Sequence, residues 1–180
     1  SDVDLTGATL TGVNLTGADL SNAQLTSTNL TGGANLSGAN LTGADLTGAD
    51  LTYADLTGAD LTNADLTSAD VFNVKLDGAN LSNAILLNVG LSTVATLTNV
   101  KSGGITGPLY NIPTDWQLID GYLIGPGADL SGEDLSNVDL TGANLSGANL
   151  AGVSGAAKYN SATILPTGFD PHAAGWTLVS

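Results

Sequence analysis

Cysteine, methionine and arginine are absent from this 180-residue sequence, which has only three lysines and one histidine. Without cysteine there is no disulfide framework, thiol nucleophile or zinc–thiolate site. The single histidine, His172, excludes metal sites built from several histidines and leaves little room for a Ser-His-Asp triad. Three lysines cannot neutralise a run of phosphates, which disfavours direct binding of nucleic acid. We therefore expect no catalytic residues, no metal and no cofactor.

Long apolar runs and aromatic residues are also scarce. No stretch approaches the ~20 continuous apolar residues that cross a membrane, so the sequence predicts no membrane span. Hydrophobic residues make up 42% of the chain but aromatic residues only 4%, and the formal net charge is -14. High charge with few aromatics is also typical of disorder. The strict period of the apolar residues argues instead for a folded, highly soluble chain.

The sequence is dominated by a five-residue repeat of the form Ala-(Asp/Asn)-Leu-(Thr/Ser)-Gly. Leucine occupies every fifth position from Leu5 to Leu30 and, after one additional residue at Gly32–Gly33, nearly every fifth position from Leu36 to Leu91. The repeat then weakens and returns from Leu130 to Leu150. So regular a period indicates a solenoid rather than a globular domain.

A period of five is incompatible with a helix or a flat strand. Along an α-helix, successive leucines would rotate by about 140° and spread around the surface. Along a strand, alternate leucines would point to opposite faces because five is odd. Every leucine points inward only if the chain turns a corner once per unit, with Ala and Leu inside and Asp/Asn, Thr/Ser and Gly outside, where Gly eases the turn.

This repeat resembles the pentapeptide-repeat family over roughly 130 residues (a span we judge from the repeat's extent). The resemblance implies an all-β fold, a right-handed quadrilateral parallel β-helix with four units per coil, here interrupted by a non-repeat spacer. The segments Lys158–Asn160, Gly168–Pro171 and Ala173–Gly175 also look like the tail that follows such repeats in cyanobacterial members.

The repeat pattern divides the chain into four parts. Residues 1–107 form the main pentapeptide-repeat β-helix and residues 108–127 form the spacer. Residues 128–157 form a second repeat block, and residues 158–180 form a C-terminal tail or cap. The spacer and the tail look like copies of each other, since each has an Ile/Leu-Pro-Thr segment followed by Trp.

Stacking four units per coil places aspartates above one another. Asp45 lies below Asp65, and Asp50 below Asp70. Repulsion between unpaired stacked carboxylates would raise one pKa of each pair, which predicts a gain in stability as the pH falls. The alternative is that Asp and Asn side chains serve the backbone turns.

Departures from the repeat mark candidate surfaces. Tyr53 and Phe72 face outward on one side, one coil apart, and Ile85 and Leu87 face outward on the neighbouring side. Exposed apolar clusters usually have a cover or a partner. The four residues therefore form a candidate interaction patch, unless the spacer packs over them.

Glu133 stands where the repeat requires a small inward residue. A charge cannot occupy that position unpaired. Either the coil is distorted there or Glu133 lies beside the opening made by the spacer. A hydrolase would have to rely on Glu133 with Asp129 or Asp134, and no cleft is predicted there.

The two ends of the solenoid predict end-to-end association. Val3 and Leu5 already occupy inward positions, and an uncapped β-helix end exposes backbone groups that template pairing. Trp176 and Leu178 are the candidate contacts at the other end. A head-to-tail contact does not close and grows into filaments. The alternatives are a tail that folds back as a cap, or a chain cut from a longer protein.

We therefore expect a non-enzymatic structural or interaction protein, a rigid acidic scaffold that associates with itself or with another protein. The family resemblance also implies an acidic mimic of DNA that binds a DNA-handling protein such as gyrase. A monomeric protein-binding module is the third interpretation. Export and a cytoplasmic location remain equally open.

Overall fold

The computed structural model describes residues 3–180 and shows a coiled chain whose successive turns lie in parallel register. Isolated parallel bridges join positions 20 or 21 residues apart through most of the repeat, from Asp4–Gln24 onward. One coil therefore contains four five-residue units. The predicted fold class, a right-handed quadrilateral parallel β-helix, is confirmed.

In the unit 44–48 every backbone N–H has a partner. The N–H of Asp45 donates to the preceding coil at 2.9 Å, while those of Leu46 and Gly48 donate to the following coil at 2.7 and 2.9 Å. The N–H of Ala44 closes the turn to the previous unit's leucine carbonyl at 3.0 Å. The remaining N–H, that of Thr47, donates to the Asp45 carboxylate at 2.9 Å. The repeat thus satisfies the donors that a folded chain must pair.

The corner of each unit is a turn that requires a positive φ. At Gly48 the φ angle is 63°, and the Ala49 N–H donates to the Leu46 carbonyl at 2.9 Å. This hydrogen bond and a positive φ at the third residue are typical of a type II turn, which favours Gly or Asn at that position. Where the repeat lacks Gly, Asn commonly replaces it, for example Asn63 with φ of 59°.

The inward leucines and alanines form the core. From Leu25 to Leu61 the leucine side chains are fully buried, as are nearly all of the alanines between them. Burying a leucine stabilises the fold by about 1.5–3 kcal/mol, so the four leucines of each coil are its main source of stability. The buried residues form two clusters, one ending near Leu123 and the other beginning at Ile124.

Regular elements are few and short because most of the β-structure consists of single bridges. A single-turn 3-10 helix covers Leu91–Thr93, where the repeat weakens. Strands β1 (Gln117–Ile119) and β2 (Tyr122–Ile124) pair antiparallel as a hairpin. Strands β3 (Lys158–Tyr159) and β4 (Thr177–Leu178) pair parallel in the tail. No helix in residues 3–180 is long and apolar enough to cross a bilayer.

The spacer leaves the solenoid and brings Trp116 onto it. The Trp116 ring packs against both core clusters, and a Cβ at Gly125 would lie only 2.1 Å from the ring. Glycine at 125 therefore lets β2 pass close beneath the indole. Beyond the spacer the coil resumes on the same ladder, since Asp129 bridges Lys101 and its N–H donates to the Val100 carbonyl at 2.9 Å.

Candidate interaction surfaces

Tyr53 and Phe72 form an exposed aromatic pair at one corner of the solenoid. Their side chains are 54% and 47% exposed, and the ring centroids lie 5.6 Å apart in an edge-to-face arrangement. The Tyr53 N–H donates to the Phe72 carbonyl at 2.9 Å, which fixes the two residues in adjacent coils. Both residues remain solvent-exposed with the spacer in place, as required of a patch that another molecule contacts.

Tyr53 occupies the corner position that the repeat usually gives to Gly or Asn. Its φ angle is 64°, a left-handed conformation that is a clear outlier for a bulky residue. The sequence could have indicated this, because Tyr53 directly follows Leu51-Thr52 where Gly is expected. The positive φ itself belongs to the corner position of the repeat, and what is unusual is that a bulky ring occupies it where Gly or Asn is favoured.

Charged residues flank the aromatic pair on two sides. Asp50 and Asp70 bridge each other two or three residues before the aromatic residues of their own units, and the Asp70 Oδ1 accepts the Phe72 N–H at 2.9 Å. On the following side, Lys75 forms an ion pair with Asp55 at 3.1 Å. The pair of rings therefore borders two carboxylates whose charge is not balanced by a neighbouring lysine. Asp50 and Asp70 were expected as a stacked pair but not as part of this surface.

Ile85 and Leu87 are less exposed, and the beginning of the spacer lies directly above them. Ile85 is 37% and Leu87 36% exposed. The Asn88 N–H donates to the Pro108 carbonyl at 3.2 Å, and a Cβ at Gly107 would lie 2.7 Å from the Leu87 nitrogen. This part of the candidate patch is thus partly covered by the chain itself, whereas the aromatic pair is not.

The outward aspartates are turn-forming residues. Asp45 accepts hydrogen bonds from Thr47 and, through Oδ2, from the Thr26 hydroxyl at 3.0 Å. Hydrogen bonds from the hydroxyl and the N–H of Thr47 hold the pKa of Asp45 below its ordinary value, although partial burial opposes them. The Thr57 hydroxyl, aided by Lys75, likewise lowers the pKa of Asp55. The expectation of a raised pKa is therefore wrong for Asp45, because hydrogen bonds from Thr47 and Thr26 favour its ionised form more than partial burial disfavours it.

Glu133 lies beside the spacer, one of the two positions expected for it. Its carboxylate is 3.9 Å from the Lys101 Nζ, and it lies close to Gly103 and the Tyr122 ring. Burial is the main cause that raises the pKa of Tyr122, and the nearby carboxylates of Glu133, Asp134 and Asp120 raise it further. The Tyr122 hydroxyl donates to the Asp134 carbonyl at 2.9 Å. These contacts tie the hairpin to the second repeat block.

The two solenoid ends differ in how far their apolar residues are covered. Val3 is 37% exposed and Leu5 is partly buried. At the other end Leu178 is 58% exposed, but Trp176 is only 4% exposed. The Trp176 ring contacts Phe169 with centroids 4.8 Å apart and thus covers the last layer of the core.

Within residues 3–180 the fold encloses no pocket, and no group of acidic or histidine side chains is placed to hold a metal ion. The surfaces that a partner can reach are the outward side chains of the four walls and the ends.

Comparison with known proteins identifies the family. The sequence profile described as pentapeptide repeats matches the chain in eight copies, over residues 1–32, 33–67, 64–92 and 127–154, which is more than half of its length. No curated protein is significantly similar to the chain.

Solved structures of similar proteins agree with the profile. HetL, a pentapeptide repeat protein involved in heterocyst differentiation regulation in the cyanobacterium Nostoc sp. strain PCC 7120, is 36% identical with a TM-score of 0.50. The match covers 85% of this chain and 57% of HetL, so the chain spans less than two thirds of that relative.

Two other structures are similar over much of their length. A pentapeptide repeat protein from the Arabidopsis thaliana thylakoid lumen is 35% identical, with 58% of this chain and 68% of that one covered and a TM-score of 0.32. QnrB1, a plasmid-mediated fluoroquinolone resistance protein, is 20% identical, with 99% and 78% covered and a TM-score of 0.48. The profile match over more than half of the chain shows that the chain belongs to the pentapeptide-repeat family, in agreement with the observed coil of four five-residue units.

Proposed function

We propose that this protein is a non-enzymatic, rigid interaction scaffold that binds another protein through the Tyr53–Phe72 pair. The observation that carries the proposal is the exposure of both rings, at 54% and 47%, on a wall otherwise made of small and polar side chains. Aromatic residues are enriched at the centres of protein interfaces, where burial of a ring contributes strongly to affinity.

The stability of the fold does not account for this pair. A left-handed conformation costs an L-residue about 1–2 kcal/mol. An edge-to-face aromatic contact contributes about 0.5–1.5 kcal/mol beyond the burial of area. The ring contact therefore offsets about as much as the conformation costs, and only the partial burial of a ring that stays 54% exposed is left to favour Tyr53 in folding. Binding is the simpler reason for a large ring at this corner.

The alternative modes of association are supported less well. The Trp176 ring fills the last core layer instead of presenting itself to another molecule, which weighs against head-to-tail filaments built on Trp176. An acidic mimic of DNA would bind through its total charge and would be insensitive to the loss of two uncharged rings.

The test restores the repeat consensus at the patch, with Tyr53→Gly combined with Phe72→Thr. We expect a nearly unchanged melting temperature, because relief of the left-handed tyrosine offsets loss of the aromatic contact. A protein captured by the unmodified scaffold, once purified, should bind the double variant at least about tenfold more weakly in calorimetry.

The matched control is Ile164→Ser, since Ile164 is 52% exposed and lies in the C-terminal tail, where it bridges Asn144 of the second repeat block. It should retain the partner with unchanged affinity. If every protein that binds the unmodified scaffold binds the double variant equally well, the proposal is wrong.

A further inference from the structure

The Tyr53–Phe72 pair stands within the most acidic part of the solenoid. Six successive units, from Asp45 to Asp70, each carry an aspartate at the outward position before the leucine. Lys75 is the only lysine in the first hundred residues, and Asp55 neutralises it at 3.1 Å. The aromatic corner is therefore surrounded by negative potential.

Asp50 and Asp70 are the acidic residues that immediately precede the two rings along the chain. They are bridged in adjacent coils on the side that ends at the aromatic corner. In each residue Oδ1 accepts the N–H two positions along the chain, at 3.0 Å from Thr52 and 2.9 Å from Phe72. Among residues 3–180 the second oxygen of each carboxylate has no hydrogen-bond partner, and it can accept one from outside.

We propose that the occupant of this corner is a basic segment of a partner protein, with a lysine or arginine side chain over the Tyr53 or Phe72 ring and its charge facing Asp50 and Asp70. This inference rests on the proposed function and specifies the partner's chemistry. A cation over an aromatic face is attracted by the ring, and complementary charges across an interface speed association and select the partner.

The fold offers a variant that removes only the charge. In Asp50→Asn/Asp70→Asn the amide oxygens can still accept the Thr52 and Phe72 N–H groups, as Asn40 and Asn80 do for their own turns at 3.1 Å. The control is Asp45→Asn/Asp65→Asn, which removes the same charge from adjacent coils on the preceding side.

The probe is a short synthetic peptide of alternating arginine and leucine, compared with the same peptide carrying neutral citrulline for arginine. Binding is measured by calorimetry with the full chain at about 0.15 M salt, where exposed charges more than ~8 Å apart are largely screened. We expect the arginine peptide to bind, and Asp50→Asn/Asp70→Asn and Tyr53→Gly each to weaken it about tenfold, with a much smaller effect of Asp45→Asn/Asp65→Asn.

Each other outcome overturns the inference in a recognisable way. If the citrulline peptide binds equally well, or if Tyr53→Gly weakens binding while Asp50→Asn/Asp70→Asn does not, the partner is not basic but the aromatic patch still binds protein. If both charge variants weaken binding equally and Tyr53→Gly has no effect, the peptide is held by net charge alone. Absence of binding by the arginine peptide contradicts the basic partner, while the capture experiment with the consensus-restored variant still decides the proposed function.

Discussion

The Asp45 carboxylate accepts a hydrogen bond from the backbone N–H of Thr47, two residues along the chain, at 2.9 Å. The same contact recurs around the solenoid; for example, the Ser136 N–H donates to the Asp134 carboxylate at 3.0 Å. An ionised carboxylate makes a stronger hydrogen bond than a neutral group does. The aspartates thus brace the corners, and their ionisation is coupled to folding.

Acid should destabilise the protein. The pKa values of Asp45 and Asp55 are lowered in the folded state, mainly because Thr47 donates hydrogen bonds to Asp45 and Thr57 donates hydrogen bonds to Asp55. A lowered folded-state pKa gives stability that is present above the unfolded value and is lost as the pH falls through the folded value. Melting temperatures should change little between about pH 7 and pH 5 and fall below about pH 4, near the ordinary pKa of aspartate.

The matched variant for this pH dependence is Asp45→Asn, which keeps an acceptor for the Thr47 N–H but does not titrate. It should make the melting temperature less sensitive to acid. A melting temperature that rises on acidification would show that repulsion between stacked carboxylates dominates after all.

Leu61→Ala should be strongly destabilising. Leu61 is fully buried on a ladder with Leu41 and Leu81, and the narrow core cannot collapse into the space left by the lost side chain. The expected loss in the free energy of unfolding is about 2–5 kcal/mol, measured by urea denaturation. The exposed Thr9→Ala should change it by less than about 0.5 kcal/mol. If Leu61→Ala lowers the free energy of unfolding by less than about 1 kcal/mol, half of the smallest expected loss, the core is not packed as described.

Gly58→Ala isolates the backbone requirement of a corner. Gly58 has φ of 66°, and an added Cβ would meet nothing within 4 Å. Any destabilisation must therefore come from the left-handed conformation, which costs about 1–2 kcal/mol. Gly58→Asn should cost less, because Asn63 adopts φ of 59° in the same position of the next unit. Equal losses for the two variants in thermal melts would refute this reasoning.

Trp176→Ala should loosen the tail and leave the first repeat block intact. The Trp176 ring is 4% exposed and contacts Phe169 and Tyr159, with centroids 4.8 and 6.3 Å apart. Because stability in a solenoid is transmitted between neighbouring coils, hydrogen exchange should accelerate in residues 158–180 but not around Leu46. Leu178→Ala, at an exposed position of β4, is the control and should have little effect. Uniform acceleration along the chain after Trp176→Ala would speak against local capping.

The sequence predicts the repeat coils well because their period leaves few geometries open. A leucine at every fifth position requires a corner in every unit, and Asp or Asn before it provides the acceptor that the corner needs. The sign of the Asp45 pKa shift was predicted wrongly because the sequence indicates both the stacked carboxylates and the turn donors but not which of the two has the larger effect. No period governs the spacer, so the contact of Trp116 with both core clusters could not be predicted.

The candidate surface could be predicted in part, less fully than the repeat coils but better than the spacer. Tyr53 and Phe72 are visible as departures from the repeat, and the positive φ of Tyr53 follows from its place in the unit. The partial covering of Leu87 by Gly107 and Pro108 depends on the path of the spacer, which only the folded chain reveals. The burial of Trp176 likewise depends on how the tail folds back over Tyr159.

Because each coil contains 20 residues, the position of a wall residue in the sequence determines both its height along the solenoid axis and the direction in which it faces. Inserting one complete coil before Tyr53 would carry the aromatic corner about 4.8 Å along the axis without changing the direction it faces. Inserting a single five-residue unit would instead turn the corner by a quarter of a revolution, away from a partner held in place. The number of inserted units therefore sets the axial position of a binding site and the direction in which it faces, and whole coils change the first without the second.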